Sequence, residues 1–379
     1  MAGRGAVSAF ADHCEWAGSN ANDRENWLIS RRSGVGGSDV AALMGEHPYK
    51  SALEVYTDKI ATTPPTDDES EVAEWGRLFE PLIIKRFARV SGRRVVRGGQ
   101  LLRSKLAPYY LITLDGVQLT KPPPGCRGPG IAEVKTTGFG NDYAADPDDA
   151  ELDYEERVRV PVHVQIQMQW QMLVTGAEWA TCIWLPFPER RMQWQDIKPH
   201  RPFQEVLARK VDEFWARVQS RVPPNPDHSE SATRALYKLY PGQTDEVIRI
   251  RNACGVSDEY ERNKAAIELL KSRNRFIRNV LAATMGEARH AVLDDGRYWG
   301  ASFYAEKDVT CRHCSGLLSH KSSYRTFTLR APKKKPHIVT GGTRELAVAL
   351  DDATLTKQLG ESLVGAPAPS NDDREGAAE

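Results

Sequence analysis

A mixed α/β (α+β) fold, followed by a smaller module of helix and short strands, is what this 379-residue chain predicts. Three observations carry that expectation. Glu71–Ser91 repeats apolar residues with the helical period. The stretch from Leu101 to Thr137 is rich in β-formers around a Pro/Gly loop. A proline-rich segment, Val222-Pro-Pro-Asn-Pro-Asp227, separates this body from a long helical pattern.

Residues 1–26 are small, polar and aperiodic and read as a flexible N-terminal arm. The body is expected over 27–221 and the linker over 222–228. Within the body, Leu78, Leu82, Ile83, Phe87 and Val90 should share one face of a helix over Glu71–Ser91. Pro81 should kink that helix or mark its start. Tyr109–Val117 and Ile131–Thr137 read as two arms of a hairpin joined by the turn-forming loop Lys121–Gly130. Two more strands are expected at Glu178–Leu185 and Met192–Ile197, then an amphipathic helix over Phe203–Val218. Val164–Met172 alternates apolar residues with glutamine, which is a strand period. Yet its Gln, Met and Leu are helix formers, and Ile166, Trp170 and Leu173 fit a helical face. Periodicity leaves both readings open. The module over 229–331 contains a long helix from Asp258 towards Ala291, broken near Gly286, with Ile267, Leu270, Ile277 and Leu281 along one side. Arg297–Tyr304 and Ser323–Arg330 are strand-like and could pair. The tail, 332–379, has a mostly disordered composition.

Composition excludes several classes. Mean hydropathy is −0.51 and no apolar run reaches a membrane span, so a membrane protein is not expected. The N-terminus has no hydrophobic leader, and six scattered cysteines fit a reducing cytoplasm better than a disulfide scaffold. Lys plus Arg equals Asp plus Glu, 51 each, so net charge is silent about partners. Its distribution is not. No acid occurs between Pro81 and Leu114, where Lys85, Arg86, Arg89, Arg93, Arg94, Arg97, Arg103 and Lys105 lie, whereas 142–156 is acidic. The block suits a polyanion, or is simply a solvated surface.

The chemistry-bearing residues come in a set order: Glu80 on a helix, Asp115 at a strand end, then Glu133-Val134-Lys135 on the next strand. Residues i and i+2 of a strand share a face, so Glu133 and Lys135 point the same way, and a hairpin brings Asp115 towards them. Oxygen clusters of this kind suit hard divalent cations, which activate water and offset charge on a phosphodiester. Gly34-Val-Gly-Gly-Ser-Asp39 precedes a helix start. It reads either as a phosphate cradle or as an N-cap made by Ser38 or Asp39. Cys311 and Cys314, with His313 and His320, form at most half a zinc site. His163 and the tryptophans at 170, 179, 184, 194 and 215 read as structural.

These residues carry a resemblance. Trp27–Gly45, His47–Lys50, Trp75–Glu80, Leu114–Gly116, Glu133–Thr137 and Gln167–Gly176 occur in the order seen in PD-(D/E)XK nucleases of the YqaJ type, relatives of phage lambda exonuclease. The resemblance spans roughly 27–197 and implies a mixed central sheet flanked by helices. It implies that Asp115, Glu133 and the Val134 carbonyl ligate Mg2+, with Mn2+ as the alternative ion. Lys135 matches the catalytic lysine, Glu80 the supporting helical acid, and Gln167 the active-site glutamine, which lies on a helix in that family. Arg31, Ser38 and Thr113 fall where a 5′-terminal phosphate is held, with Thr113 replacing a serine.

The implied activity is 5′-to-3′ digestion of double-stranded DNA ends to leave 3′ single strands. The implied setting is a ring-forming homo-oligomer with a single-strand annealing protein as partner, encoded by a phage or prophage and working in the bacterial cytoplasm. The alternatives are a structure-selective endonuclease of the same superfamily and a DNA-binding accessory without turnover.

Overall fold

The computed structural model describes residues 8–63, 71–137, 160–186, 192–294, 297–304, 307–310, 317–321 and 324–330. The acidic 142–156 stretch, Cys311, His313, Cys314 and the tail from 332 lie outside them. The chain divides into two compact units, Met1–Thr244 and Asp245–Glu379.

In the first unit the elements are β1 (Cys14–Asn20), α1 (Arg24–Arg31), α2 (Gly37–Leu43), α3 (Ala52–Ile60), α4 (Glu71–Ser91), β2 (Val95–Arg97), β3 (Gln100–Ser104), β4 (Leu111–Thr113), β5 (Gly116–Gln118) and β6 (Gly130–Thr137). They continue with α5 (Val162–Thr175), β7 (Ala180–Pro186), β8 (Gln193–Ile197), α6 (Arg201–Ser220) and α7 (Glu230–Leu239). Five strands form a mixed sheet in the order β2-β5-β6-β7-β8, and β1-β3-β4 form a second, smaller sheet. The α/β class with a mixed central sheet is therefore as expected.

The hairpin β5–β6 is antiparallel, with Gly116 opposite Ala132 and Val117 opposite Ile131. β6 and β7 are parallel, with α5 lying between them in the chain. Such parallel pairs are buried on both faces. Accordingly, Ala132, Val134 and Ile183 pack with Ile83, Ile84 and Phe87 of α4. Ile131, Cys182 and Trp184 join the main core with Ile166, Trp170 and Met172 of α5. Each large side chain so buried is worth about 1.5–3 kcal/mol. Because α5 is buried on almost every side, its period is blurred, and tertiary packing makes it a helix. It ends at Gly176, whose φ of +70° suits glycine.

Four expectations need correction. Cys14–Asn20 is no loose arm but a strand paired with β3, Cys14 opposite Ser104. Its buried residues, Cys14 and Ser19, do not alternate with period two, and a register shift after Trp16 interrupts the pairing, so the stretch carries almost no strand signal. On α4 the buried stripe is Ile83, Ile84 and Phe87, while Leu78, Leu82 and Val90 are exposed. The stretch 109–117 is broken: β4 and β5 belong to different sheets, with Asp115 at the bend between them. Finally, the unit boundary lies after Thr244, beyond the proline segment. Helix α7 belongs to the first unit because Ser231 sits buried against α3. There it accepts from the Ser51 N–H (2.8 Å) and donates to the Ser51 hydroxyl (3.1 Å).

The second unit holds α8 (Cys254–Met285), β9 (His290–Val292), β10 (Tyr298–Tyr304), β11 (Lys307–Thr310), β12 (Leu317–Lys321) and β13 (Tyr324–Arg330). The expected pairing of β10 with β13 is present and antiparallel, Tyr298 opposite Arg330. Gly286 ends α8.

Candidate active site

Asp115 follows β4 and enters β5 through a tight turn. Gly98 and Gly99 donate their N–H groups to the carbonyls of Asp115 and Leu114 at 2.9 and 2.8 Å. At Gly98 a Cβ would lie 1.9 Å from the Leu114 carbonyl oxygen, so only glycine permits this approach. The β5–β6 register, extended by one residue, sets Asp115 opposite Glu133, and Asp115 Oδ2 accepts the Val134 N–H at 2.7 Å.

Glu133 is the hub. Its Oε1 accepts from Lys135 Nζ (2.6 Å) and from Gln167 Nε2 (2.6 Å), and its Oε2 accepts from Gln171 Nε2 (2.7 Å). Lys135 Nζ also donates to Gln167 Oε1 at 3.2 Å. The strand spacing i, i+2 brings Glu133 and Lys135 together. The helix spacing i, i+4 brings Gln167 and Gln171 to the same carboxylate. Gln171 was not singled out from the sequence. The signal was there in a glutamine four residues after Gln167, but the glutamine-rich stretch hid it.

Glu80 and Asp115 line the same cleft of about 950 Å³ as Glu133, Val134, Lys135 and Gln167. Burial, opposed by Arg97 and reinforced by Glu133, pushes the Glu80 carboxyl up to about 7. Burial, then the charges of Glu133 and Glu80, drive the Asp115 carboxyl well above the usual range. Lys135 is held protonated: burial works against its charge, but Glu133 and Asp115 outweigh it.

Arg31, Ser38 and Thr113 line the same cleft. Arg31 Nη2 donates to Ser38 Oγ at 3.2 Å, and its guanidinium stacks 4.6 Å from the Trp27 ring. Trp27 Nε1 donates to Thr113 Oγ1 at 3.0 Å. All three expected residues are thus linked, through a tryptophan that sequence reasoning did not assign. Neither Ser38 nor Asp39 is the N-cap of α2; Gly36 is, and Asp39 receives the Gly36 N–H at 3.1 Å. Asp39 is also an ion-pair centre, with Lys59 at 2.9 Å, Lys50 at 3.1 Å and Arg31 at 3.6 Å. Burial raises its pKa, but the three cations hold it well below the usual carboxylate range.

Residues of the basic block differ in their surroundings. Arg97 reaches the cleft, whereas Arg93 makes a two-point pair with Asp196 (2.8 and 2.7 Å) and Arg103 pairs with Glu15 (2.6 Å). His163 stands by His47, ring centroids 6.3 Å apart. Trp170, Trp179 and Trp184 are core, but Trp194 is exposed, edge-on to Phe87.

Residues 26–178 match the YqaJ-like viral recombinase domain. Every cleft residue named above falls inside it. The chain is 25% identical over 275 residues to the uncharacterized protein YqaJ of Bacillus subtilis (strain 168), covering 71% of this chain and 81% of that relative. Among solved structures, it is similar to an alkaline exonuclease (LHK-Exo) from Laribacter hongkongensis, with 18% identity and a TM-score of 0.39 over 57% of this chain and all of that one. It is also similar to a phage-related exonuclease from Haemophilus somnus 129PT, with 14% identity and a TM-score of 0.36 over 50% of this chain and 96% of that one.

Proposed function

We propose that the YqaJ-like domain makes this protein a divalent-metal-dependent deoxyribonuclease that digests duplex DNA from 5′ ends and leaves 3′ single strands. The observation that carries the reading is the Glu133 hub: carboxylate, lysine and glutamine converge in one cleft with Asp115 and Glu80.

The donor set fits Mg2+, or Mn2+ in its place. Among the described residues no closed cage of three or more His, Cys, Asp or Glu side chains forms. An open set of two carboxylates and a carbonyl is what Mg2+ takes, because it keeps waters and binds substrate oxygens. Asp115, Glu133 and the Val134 carbonyl would hold the ion, with Glu80 in support. When bound, it supplies water activation and charge neutralisation at the scissile phosphate. Lys135, kept charged, and Gln167 orient the attacking water and stabilise the phosphate oxygens. Arg31, with Ser38 and Thr113 beside it, grips the terminal phosphate by charge-assisted hydrogen bonds, which favours ends. The resemblance adds a ring-forming homo-oligomer and a single-strand annealing partner. Among the described residues no helix is long and apolar enough to cross a membrane.

The test is digestion of 5′-phosphorylated linear duplex with Mg2+ by wild type, Asp115→Ala and Lys135→Ala. Both variants should lose activity; equal digestion by all three would refute the site. Arg31→Ala should chiefly erode the preference for 5′-phosphate over 5′-hydroxyl ends. Cleavage of a covalently closed circle would instead favour an endonuclease. Salt-sensitive binding that ignores Mg2+, with no products, would favour a DNA-binding accessory.

A further inference from the structure

Arg97 is a cation in the cleft to which the nuclease reading gives no task. It ends β2, an edge strand of the large sheet, and it is exposed. In the β2–β5 ladder it stands opposite Gly116, the residue after Asp115, and Gly116 in turn stands opposite Ala132. Directly opposed residues share a face of the sheet. Ala132 packs with Ile83 and Phe87 of α4, so Arg97 lies on the α4 side, where Glu80 is. Its cross-strand neighbour is a glycine, with no side chain to pack on, and Arg97 lines the cleft. Of the charges that oppose the rise of the Glu80 carboxyl, that of Arg97 is the strongest. Yet among the described residues its guanidinium makes no hydrogen bond or ion pair. An arginine held near Glu80, Asp115 and Glu133 without joining any of them is open to an anion from outside.

The cleft suits a polyanion. Arg24, Arg31, Arg77, Arg97 and Lys135 line it against Glu80, Asp115 and Glu133, five cations to three carboxylates. A surplus of one sign in a cleft draws in the opposite sign. Position then selects the group. Thr113, bonded to Trp27 beside Arg31, is followed two residues later by Asp115 and then by Gly116, which faces Arg97. A DNA strand with its terminal phosphate at Arg31 and its first internucleotide phosphate at Asp115 is thereby led towards Arg97 with its second.

We infer that Arg97 is a substrate-binding residue whose guanidinium holds the second internucleotide phosphate from the 5′ end, across Asp115 from Arg31. This rests on the nuclease reading of the cleft. The contact is charge-assisted and suited to two parallel hydrogen bonds. It draws the strand on past Asp115 and favours strands of three or more nucleotides over a dinucleotide, which has no second linkage.

The test uses the full-length protein and a 5′-phosphorylated duplex. One phosphate of the digested strand is replaced by an uncharged methylphosphonate, at the second or at the fifth linkage. Affinity is measured with Ca2+ in place of Mg2+ at fixed salt, and digestion with Mg2+ is scored separately. In wild type the second-linkage substitution should weaken binding by about 10- to 100-fold, the loss of a hydrogen bond between charged groups. Arg97→Ala should bind unmodified duplex more weakly by a similar factor, and the second-linkage substitution should then cost almost nothing further, as in a double-mutant cycle. The fifth-linkage substitution should affect both proteins alike, and Arg97→Lys should regain part of the discrimination. If wild type treats the second linkage like the fifth, or if Arg97→Ala keeps the full discrimination, the assignment is wrong and Arg97 only balances charge beside Glu80. Digestion without discrimination sinks this assignment alone. Discrimination without digestion upholds the contact and sinks the nuclease reading.

Discussion

Asp39 offers the sharpest test of how the cleft is held. Its side chain is fully buried (0% exposed), as is that of Lys59 (1%), and they meet at 2.9 Å. Asp39→Asn keeps an oxygen for the Gly36 N–H but removes the charge, leaving buried Lys59 with only the partly exposed Asp58 carboxylate at 3.9 Å as counter-ion. Breaking one side of a buried pair costs about 3–5 kcal/mol. At about 2–4 °C per kcal/mol for a domain of this size, Tm should fall by about 6–20 °C. Urea unfolding and calorimetry read both quantities. Adding Lys59→Met should recover most of the loss, because an apolar side chain tolerates burial where a lone ammonium does not. The pH dependence has a definite sign. A carboxyl depressed in the folded state adds stability at neutral pH, and that contribution fades as pH falls through its folded value. The gap between wild type and Asp39→Asn should therefore narrow in acid. A loss below about 1 kcal/mol, with no recovery in the double variant, would show that the pair does not anchor this region.

Two further outcomes are expected. Gln171→Met leaves Glu133 Oε2 without its donor. It should lower nuclease activity and divalent-ion affinity by about 10- to 100-fold and cost about 1–3 kcal/mol of stability, and unchanged ion binding by calorimetry would count against a positioning role. Glu80 must shed its proton to support a cation, and its carboxyl sits at about 7. Asp115 is raised too and must also ionise, so ion affinity should rise by at least about tenfold per pH unit through pH 7, and Glu80→Gln should lower that slope; a slope unchanged in Glu80→Gln would remove Glu80 from the site.

Much of the site was legible because its spacing is local. Glu133 and Lys135 share a strand face by alternation alone, and Asp115 joins them through one hairpin. What stayed hidden depends on burial from several directions. Helix α5 is covered nearly all round, so alternating glutamines mimicked a strand, and Gln171 was lost among its neighbours. The Asp39–Lys59 pair links residues twenty apart on two helices, with no period to announce it. Leu78 and Leu82 fit the same helical repeat as Ile83 and Phe87, yet they are exposed where those two are buried. Strand β1 escaped notice because its buried residues do not alternate and its register with β3 shifts after Trp16.

The bend at Asp115 has a mechanical consequence. One neighbouring strand belongs to the small sheet and the other to the large one, so this carboxylate rides on the corner where the two sheets share a chain. Any rotation of one sheet against the other is felt there first. Changes in the packing of β1, β3 or β4, none of which carries a hub residue, would alter the gap between Asp115 and Glu133 and so tune the chemistry from a distance.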